Sequence, residues 1–237
     1  MPKFTSYKLL EACREPGCPV CRLAQRSVER YLDSHFYENV NSPKWRDQLR
    51  ASLGFCHEHA WLAVEKRLGD ALGFSIIYQD IMNSILRQLE HDGSPRRAQR
   101  NWTELVGQLP EATRRLIQKI LPAITARKRC PACEHRDQVT RTILASLVKE
   151  LHHAEVVDAL EASEGICLSH LRLALEDVRD GPAAERLIAI QSAKLARLRT
   201  ELAEFIRKND YQVSKEGFGS EGDAWLRVIG MVVGNRK

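Results

Sequence analysis

The sequence predicts an all-α protein built from two tandem-repeat helical modules, each organised around a Cys3His metal site at helix N-termini. Three observations predict this class. Apolar residues recur at helical spacing, and the sequence lacks the sustained alternation of apolar and polar residues that is typical of β-strands. One pattern of cysteine and histidine also occurs twice. With 237 residues, the chain is long enough for two domains of about 110 residues each.

Helical spacing is clearest in the stretches that follow the cysteine motifs. After Cys21, apolar or aromatic residues recur every three to four positions as far as Phe36. In the second half, Ile143, Leu147 and Leu151 keep the same spacing, and the stretch 188–205 repeats it along one seam. Because this spacing puts apolar side chains on one face of a helix, each stretch predicts an amphipathic helix packed on a core.

The two halves of the chain carry the same motifs in the same order. Cys18-Pro19-Val20-Cys21 recurs 112 positions later as Cys130-Pro131-Ala132-Cys133, and the pair Cys56/His59 recurs 111 positions later as Cys167/His170. Further identities at the shift of 111 are Ser52, Gly54, Leu62, Ala63 and Glu65 with Ser163, Gly165, Leu173, Ala174 and Glu176. We therefore predict a duplicated unit, with copies at 1–108 and 109–237.

The two motifs have the spacing of metal ligands. In Cys-Pro-x-Cys, a tight turn lets both sulfurs face one ion at about 2.3 Å, and the proline fits the first position of a helix. In Cys-x-x-His, the i, i+3 spacing puts both side chains on one face of a helical turn. A glycine two positions upstream, Gly54 or Gly165, gives the backbone freedom to enter that turn. Helix N-termini also favour thiolate over thiol.

Three thiolates and one imidazole make a closed tetrahedral shell, which is typical of structural zinc. The predicted ligands are Cys18, Cys21, Cys56, His59, Cys130, Cys133, Cys167 and His170. They predict two zinc ions, with an iron–sulfur cluster as the alternative. The parallel repeat favours pairing within each copy. An exchange, in which the CPxC of one copy shares its ion with the CxxH of the other, stays open.

Composition favours a reducing compartment. The chain has seven cysteines, no apolar run of about 20 residues and no signal-peptide core at its start, so we expect a cytoplasmic protein without a membrane partner. Thiols stay reduced there, which favours metal ligation over disulfides. The seventh cysteine, Cys13, has no counterpart in the second copy and is interpreted as a helix-face residue.

A filled coordination shell leaves no position for a substrate, and the sequence offers no phosphate-binding glycine motif and no supported Ser/His/Asp order. We therefore expect a non-enzymatic scaffold or interaction module with a macromolecular partner, most simply a protein. An iron–sulfur redox or sensor protein is the alternative. Nucleic-acid binding through the basic segments 94–100 and 127–129 is a weaker one, since a net charge of +5 is mild.

The motifs CPVC…GFCHEH and CPAC…GICLSH, with a tail that reads Glu221-Gly222-Asp223-Ala224-Trp225 and closes on Val233-Gly234, resemble an uncharacterised prokaryotic family with duplicated CPxC and CxxH motifs. The resemblance covers nearly the whole chain. It implies the eight ligand positions named above and supplies no activity, substrate or partner.

Overall fold

The computed structural model describes residues 4–92, 110–210 and 216–235, and the regular structure in these ranges is entirely helical. The α-helices are α1 (Phe4–Cys13), α2 (Pro19–Glu38), α3 (Pro43–Ser52), α4 (His57–Glu65), α5 (Ala71–Asp92), α6 (Glu111–Ile120), α7 (Pro131–Glu150), α8 (Ala154–Ala162), α9 (Leu168–Asp177), α10 (Gly181–Lys208) and α11 (Ala224–Val233). A 3-10 helix covers Leu121–Ala123. The all-α prediction is confirmed. The predicted border at 108/109 and the basic segment 94–100 lie outside the described residues.

In both halves of the chain, one helix follows the CPxC motif and another follows the CxxH motif. Helices α2 and α7 both have 20 residues and both begin at the proline of a CPxC motif. Helices α4 and α9 both begin directly after the cysteine of a CxxH motif. This order supports the duplication, although two tandem modules remain a prediction.

The chain divides into two compact units that do not follow the sequence halves. The terminal unit consists of Met1–Ser27 together with Arg136–Lys237, and the central unit consists of Val28–His135. The borders fall inside α2 and α7. The start of α2, with the first CPxC, therefore belongs to the terminal unit, and the start of α7, with the second CPxC, belongs to the central unit.

Leucine-rich packing forms the core of the terminal unit. Leu147 and Leu151 of α7 are fully buried with Leu160 of α8 and Leu187 of α10. Leu9 of α1 joins the same core, where α1 packs against α8. Each such side chain stabilises the fold by about 1.5–3 kcal/mol relative to exposure. Cys167 and Ala174 belong to the same core, so this packing fixes α9, the helix that carries the second CxxH pair.

Aromatic side chains form much of the core of the central unit. Phe36 of α2 stacks on Phe74 of α5 with ring centroids 3.9 Å apart, and it meets the edge of Trp45 at 5.8 Å. Phe55, which precedes Cys56, lies 5.5 Å from the same Phe36 ring. The aromatic cluster thus anchors the turn that leads into α4. Across both units, no described helix combines the length and the apolar character that crossing a bilayer requires.

Two candidate metal centres

The structure gathers all eight predicted ligands into two groups of four. The terminal site consists of Cys18, Cys21, Cys167 and His170, and the central site consists of Cys56, His59, Cys130 and Cys133. Within each group the candidate ligand atoms all lie within 4.8 Å of one another. Each CPxC therefore meets the CxxH of the other sequence half. Our expectation that the pairs join within a half is wrong, because the unit borders fall just after each CPxC motif.

In the terminal site, the donor atoms converge on one small volume. The Nδ1 atom of His170 lies 3.2 Å from the sulfur of Cys167, 3.4 Å from that of Cys18 and 3.5 Å from that of Cys21. The sulfurs of Cys21 and Cys167 are 3.8 Å apart. Cys18 and Cys167 are buried, whereas Cys21 is half-buried.

The central site repeats this geometry. The Nδ1 atom of His59 lies 3.2 Å from the sulfur of Cys56, 3.3 Å from that of Cys133 and 3.7 Å from that of Cys130. The sulfurs of Cys56 and Cys133 are 3.6 Å apart. His59 is buried, and its other ring nitrogen, Nε2, lies 3.7 Å from a carboxylate oxygen of Glu58. In both sites Nδ1 is the nitrogen that faces the sulfurs.

These separations fit one four-coordinate ion. Metal–sulfur bonds of about 2.3 Å and metal–nitrogen bonds of about 2.1 Å in a tetrahedron put two sulfurs about 3.8 Å apart and sulfur and nitrogen about 3.6 Å apart. The eight distances given above run from 3.2 to 3.8 Å, and the remaining pairs of donor atoms lie within 4.8 Å of each other. Soft thiolates with an imidazole are also a donor set that divalent transition metals prefer. Each group could thus hold an ion without rearrangement of its helices.

Backbone geometry brings each pair of ligands to the first turn of a helix. Cys56 and Cys167 are the N-cap residues of α4 and α9, and the glycines two positions earlier adopt positive φ, +88° at Gly54 and +85° at Gly165. Residues with a Cβ avoid this region, so the expected role of the glycines is confirmed. The first N–H groups of each helix have no carbonyl partner within the helix, so a helix start favours a thiolate near it.

Two buried serines support these glycine turns. The Ser52 hydroxyl donates to the carbonyl of Gly54 over 2.8 Å. The Ser163 hydroxyl instead accepts from the N–H of Gly165 over 2.9 Å and donates to the carbonyl of Leu160. Each serine therefore satisfies buried backbone groups that the turn leaves without a helical partner.

Burial and the crowding of sulfurs control the acidity of the ligand cysteines. Burial, followed by the neighbouring sulfur of Cys130, raises the pKa of Cys133 to about 12. In the terminal site, hydrogen bonding to the sulfur of Cys167 raises the pKa of Cys18 and lowers that of Cys167. Burial would lower the pKa of His170, but its bonds to sulfur outweigh burial and raise it to about 9. Four such groups in contact favour a shared cation, which stabilises all the thiolates together.

A short C-terminal segment closes over the terminal site. The Asn235 side chain accepts from the N–H of Cys18 over 2.8 Å and donates to the carbonyl of the same residue over 3.1 Å. Gly234 has φ +95°, and a Cβ there would lie 3.3 Å from the sulfur of Cys21. At Gly17 a Cβ would meet the Asn235 side chain at 2.6 Å. Sequence reasoning missed the contact between Asn235 and Cys18, because no matching stretch in the first half of the chain points to it.

Cys13 and the basic segment 127–129 lie close to the two sites in the sequence, and both have structural roles. Cys13 is buried in the terminal core and is not part of either group of ligands formed by the described residues. In the basic segment 127–129, the N–H groups of Arg127 and Lys128 both donate to the carbonyl of Ala51, at 2.8 and 3.0 Å. This segment therefore fixes the chain just ahead of Cys130.

Comparison with known proteins places the chain in a family without assigning an activity. A Caldicellulosiruptor sp. (strain Rt8B.4) protein described as "Uncharacterized 23.9 kDa protein in xynA 3'region" is 25% identical over 230 residues, which cover 96% of this chain and 100% of that protein. No solved structure matches the chain significantly. A family profile described as "Family of unknown function (DUF6062)" matches residues 6–237. The resemblance inferred from the duplicated motifs is thus confirmed, and the chain belongs to this family of unknown function, DUF6062.

Proposed function

We propose that the terminal and central sites each bind one zinc ion, and that these ions hold helix N-termini together in a non-enzymatic scaffold. The observation that carries this proposal is the convergence of three sulfurs and one imidazole nitrogen to within 4.8 Å of one another, which occurs twice. Zinc is the usual occupant of closed Cys3His sites, and it contributes directly to folding.

The spacing of the sulfurs favours a single ion over an iron–sulfur cluster. In a cubane cluster, each cysteine binds a different iron and points away from the cluster, so the cysteine sulfurs lie about 6 Å apart. Here every candidate ligand atom of a site is within 4.8 Å of the others. A cluster would require the helix starts to separate, whereas one zinc ion fits their present positions.

The role we propose is structural and depends on a reducing compartment. A shell filled by four protein ligands leaves no open position for water or substrate, which argues against metal catalysis. All seven cysteines are free of disulfides, and thiolate ligands persist where thiols are kept reduced. We therefore place the protein in the cytoplasm, where its surface would bind another macromolecule, most simply a protein.

Elemental analysis after anoxic purification tests the proposal. We expect a colourless protein with two zinc ions per chain, and cobalt substitution should produce the visible absorption of tetrahedral cobalt–thiolate sites. A brown protein that contains iron and sulfide in equal amounts would show that the sites hold an iron–sulfur cluster instead of zinc. Full-length protein that keeps its fold but binds neither metal after chelation and reloading would contradict metal binding altogether.

A further inference from the structure

The last helix exposes a continuous apolar stripe. Trp225, Leu226, Ile229, Val232 and Val233 of α11 are each between 47% and 70% exposed. At 100° per residue they fall within about 120° of the helix circumference. The other side of α11 holds the helix in the terminal unit through buried Ala224 and Met231.

The exposed apolar side chains of α5, by contrast, do not form such a stripe. On α5, Leu72, Met82 and Leu86 are exposed, but exposed Ser75 and Gln79 lie between them on the same face. On α11, all five residues of the stripe are apolar. Contiguous apolar surface of this kind marks an interaction site in proteins.

The stripe is arranged symmetrically along the chain. Its members lie at Ile229 and at three and four residues on either side of it. The larger side chains, Trp225 and Leu226, are on the N-terminal side, and two valines are on the C-terminal side. If two copies of α11 cross antiparallel about a two-fold axis at Ile229, Trp225 faces Val233 and Leu226 faces Val232 of the second copy. The two larger residues then meet the two smaller ones and Ile229 meets its own copy on the axis, which gives the self-complementary contact of an isologous interface.

We propose that this stripe is the interface of a symmetric homodimer, in which α11 packs antiparallel against α11 of a second copy. The stripe exposes about 500 Å² in each chain, so pairing buries about 1,000 Å² in total, near the lower limit for a specific interface. The dimer is therefore reversible. This inference concerns assembly and does not depend on the identity of the metal.

The charges around the stripe fit a protein occupant better than a lipid surface. Amphipathic helices that lie on membranes carry lysine or arginine on their polar face to meet anionic headgroups. The cation of α11 is Arg227, and it is paired with Glu201 and, at 2.7 Å, with Asp223. Because its charge is already neutralised within the chain, it offers little attraction to lipid.

Sedimentation equilibrium of the full-length, metal-loaded chain tests the proposal. We expect a dimer of twice 27.0 kDa, and Ile229→Asp should raise its dissociation constant at least ~100-fold. Ile206→Asp is the matched control, since Ile206 is an exposed isoleucine of the same unit, on α10, and its replacement should leave the dimer unchanged. Circular dichroism and metal content check that both variants fold. A wild-type monomer at ~200 µM, or equal effects of the two substitutions, would overturn the proposal.

A size exchange tests the antiparallel pairing. Val233→Trp alone puts two tryptophans opposite each other and should weaken the dimer, whereas Trp225→Val combined with Val233→Trp should restore it. If the double variant is as weak as or weaker than the single one, the antiparallel pairing is wrong. Flotation of wild-type protein with anionic vesicles, lost in Ile229→Asp, would identify lipid as the occupant and would also overturn the dimer.

Discussion

Each ligand at the start of a helix is positioned by the backbone around it as well as by its neighbours. Cys18 is held by both amide atoms of Asn235, and Cys56 and Cys167 follow turns that require glycine. The donor atoms are therefore pre-arranged before an ion binds, which reduces the ordering cost of binding. Substitutions at these residues should have effects that differ from those of ordinary core cysteines.

The ligand Cys167 and the core residue Cys13 allow a direct comparison, because both are buried cysteines of the terminal unit. We expect Cys167→Ala to lower the free energy of unfolding by at least ~3 kcal/mol, since it removes the metal's contribution to folding. Cys13→Ala should cost only about 1 kcal/mol, the effect of one small buried side chain. Urea unfolding at neutral pH measures both. Equal losses would contradict the assignment of Cys167 as a ligand.

Cys13 also makes stability depend on pH. Burial raises the pKa of its thiol from 9.0 to about 11, so the native fold keeps this proton more tightly than the unfolded chain does. The resulting stabilisation is complete below about pH 9 and is lost as the pH rises toward 11. The advantage of the wild type over Cys13→Ala should therefore shrink between pH 8 and pH ~10.5. A constant difference between the two unfolding midpoints would contradict this.

The Asn235 contacts predict unequal release of the two ions. Asn235→Ala removes both hydrogen bonds to Cys18, so one of the two zinc ions should be lost to a chelator about 10-fold faster or more, as is usual when the support of a ligand is removed. Release of the other ion should not change. Asn209→Ala, at the C-cap of α10, is the matched control. Equal acceleration of both ions would show that Asn235 does not act on the terminal site.

At the scale of the elements, four helices begin at the two sites. Helices α2 and α9 start at the terminal site, and α4 and α7 start at the central site. In each site, two helix N-termini meet, so their positive dipole ends face the thiolates that would carry the negative charge. The left-handed turns before α4 and α9 set the direction of two of these four helices.

Glycine substitutions test the turn before α9. In Gly165→Ala, the alanine would have to adopt φ +85°, and its methyl group would lie 3.0 Å from the Gln191 side chain. We therefore expect the free energy of unfolding to fall by about 1–2 kcal/mol. Gly230→Ala in α11 is the control, because a Cβ there meets nothing within 4 Å. It should stabilise the helix by up to about 1 kcal/mol. Chemical denaturation of both variants gives the direction of each change in the free energy of unfolding. If Gly165→Ala left the free energy of unfolding unchanged, the role of the turn would be contradicted.

Helices and ligand pairs could be predicted from the sequence because they depend on local spacing. The i, i+3 placement of Cys167 and His170 and the glycine before them determine one helical turn without reference to the rest of the chain. The pairing of the motifs could not be predicted, because both combinations satisfy the same local rules. Packing of the leucine core decides it, since it joins α1 and the start of α2 with α7 to α10. Asn235 was missed for a related reason: its contact with Cys18 joins opposite ends of the chain.

At the scale of the whole molecule, each compact unit contains its own core and its own complete site. The terminal unit holds all four candidate ligands of the terminal site, and the central unit holds all four of the central site. Each unit draws its CPxC and its CxxH from different halves of the sequence. A bound ion would therefore join distant segments of the chain and should stabilise more than a contact within one helical turn.

The metal content of two double variants tests this exchanged pairing most directly. Cys18→Ala with Cys167→Ala removes two ligands from the terminal site, so we expect one zinc ion per chain after dialysis against a mild chelator. Cys18→Ala with Cys56→Ala damages both sites, so we expect none. The opposite result, none in the first variant and one in the second, would show that the ligand pairs join within each sequence half and would contradict the account.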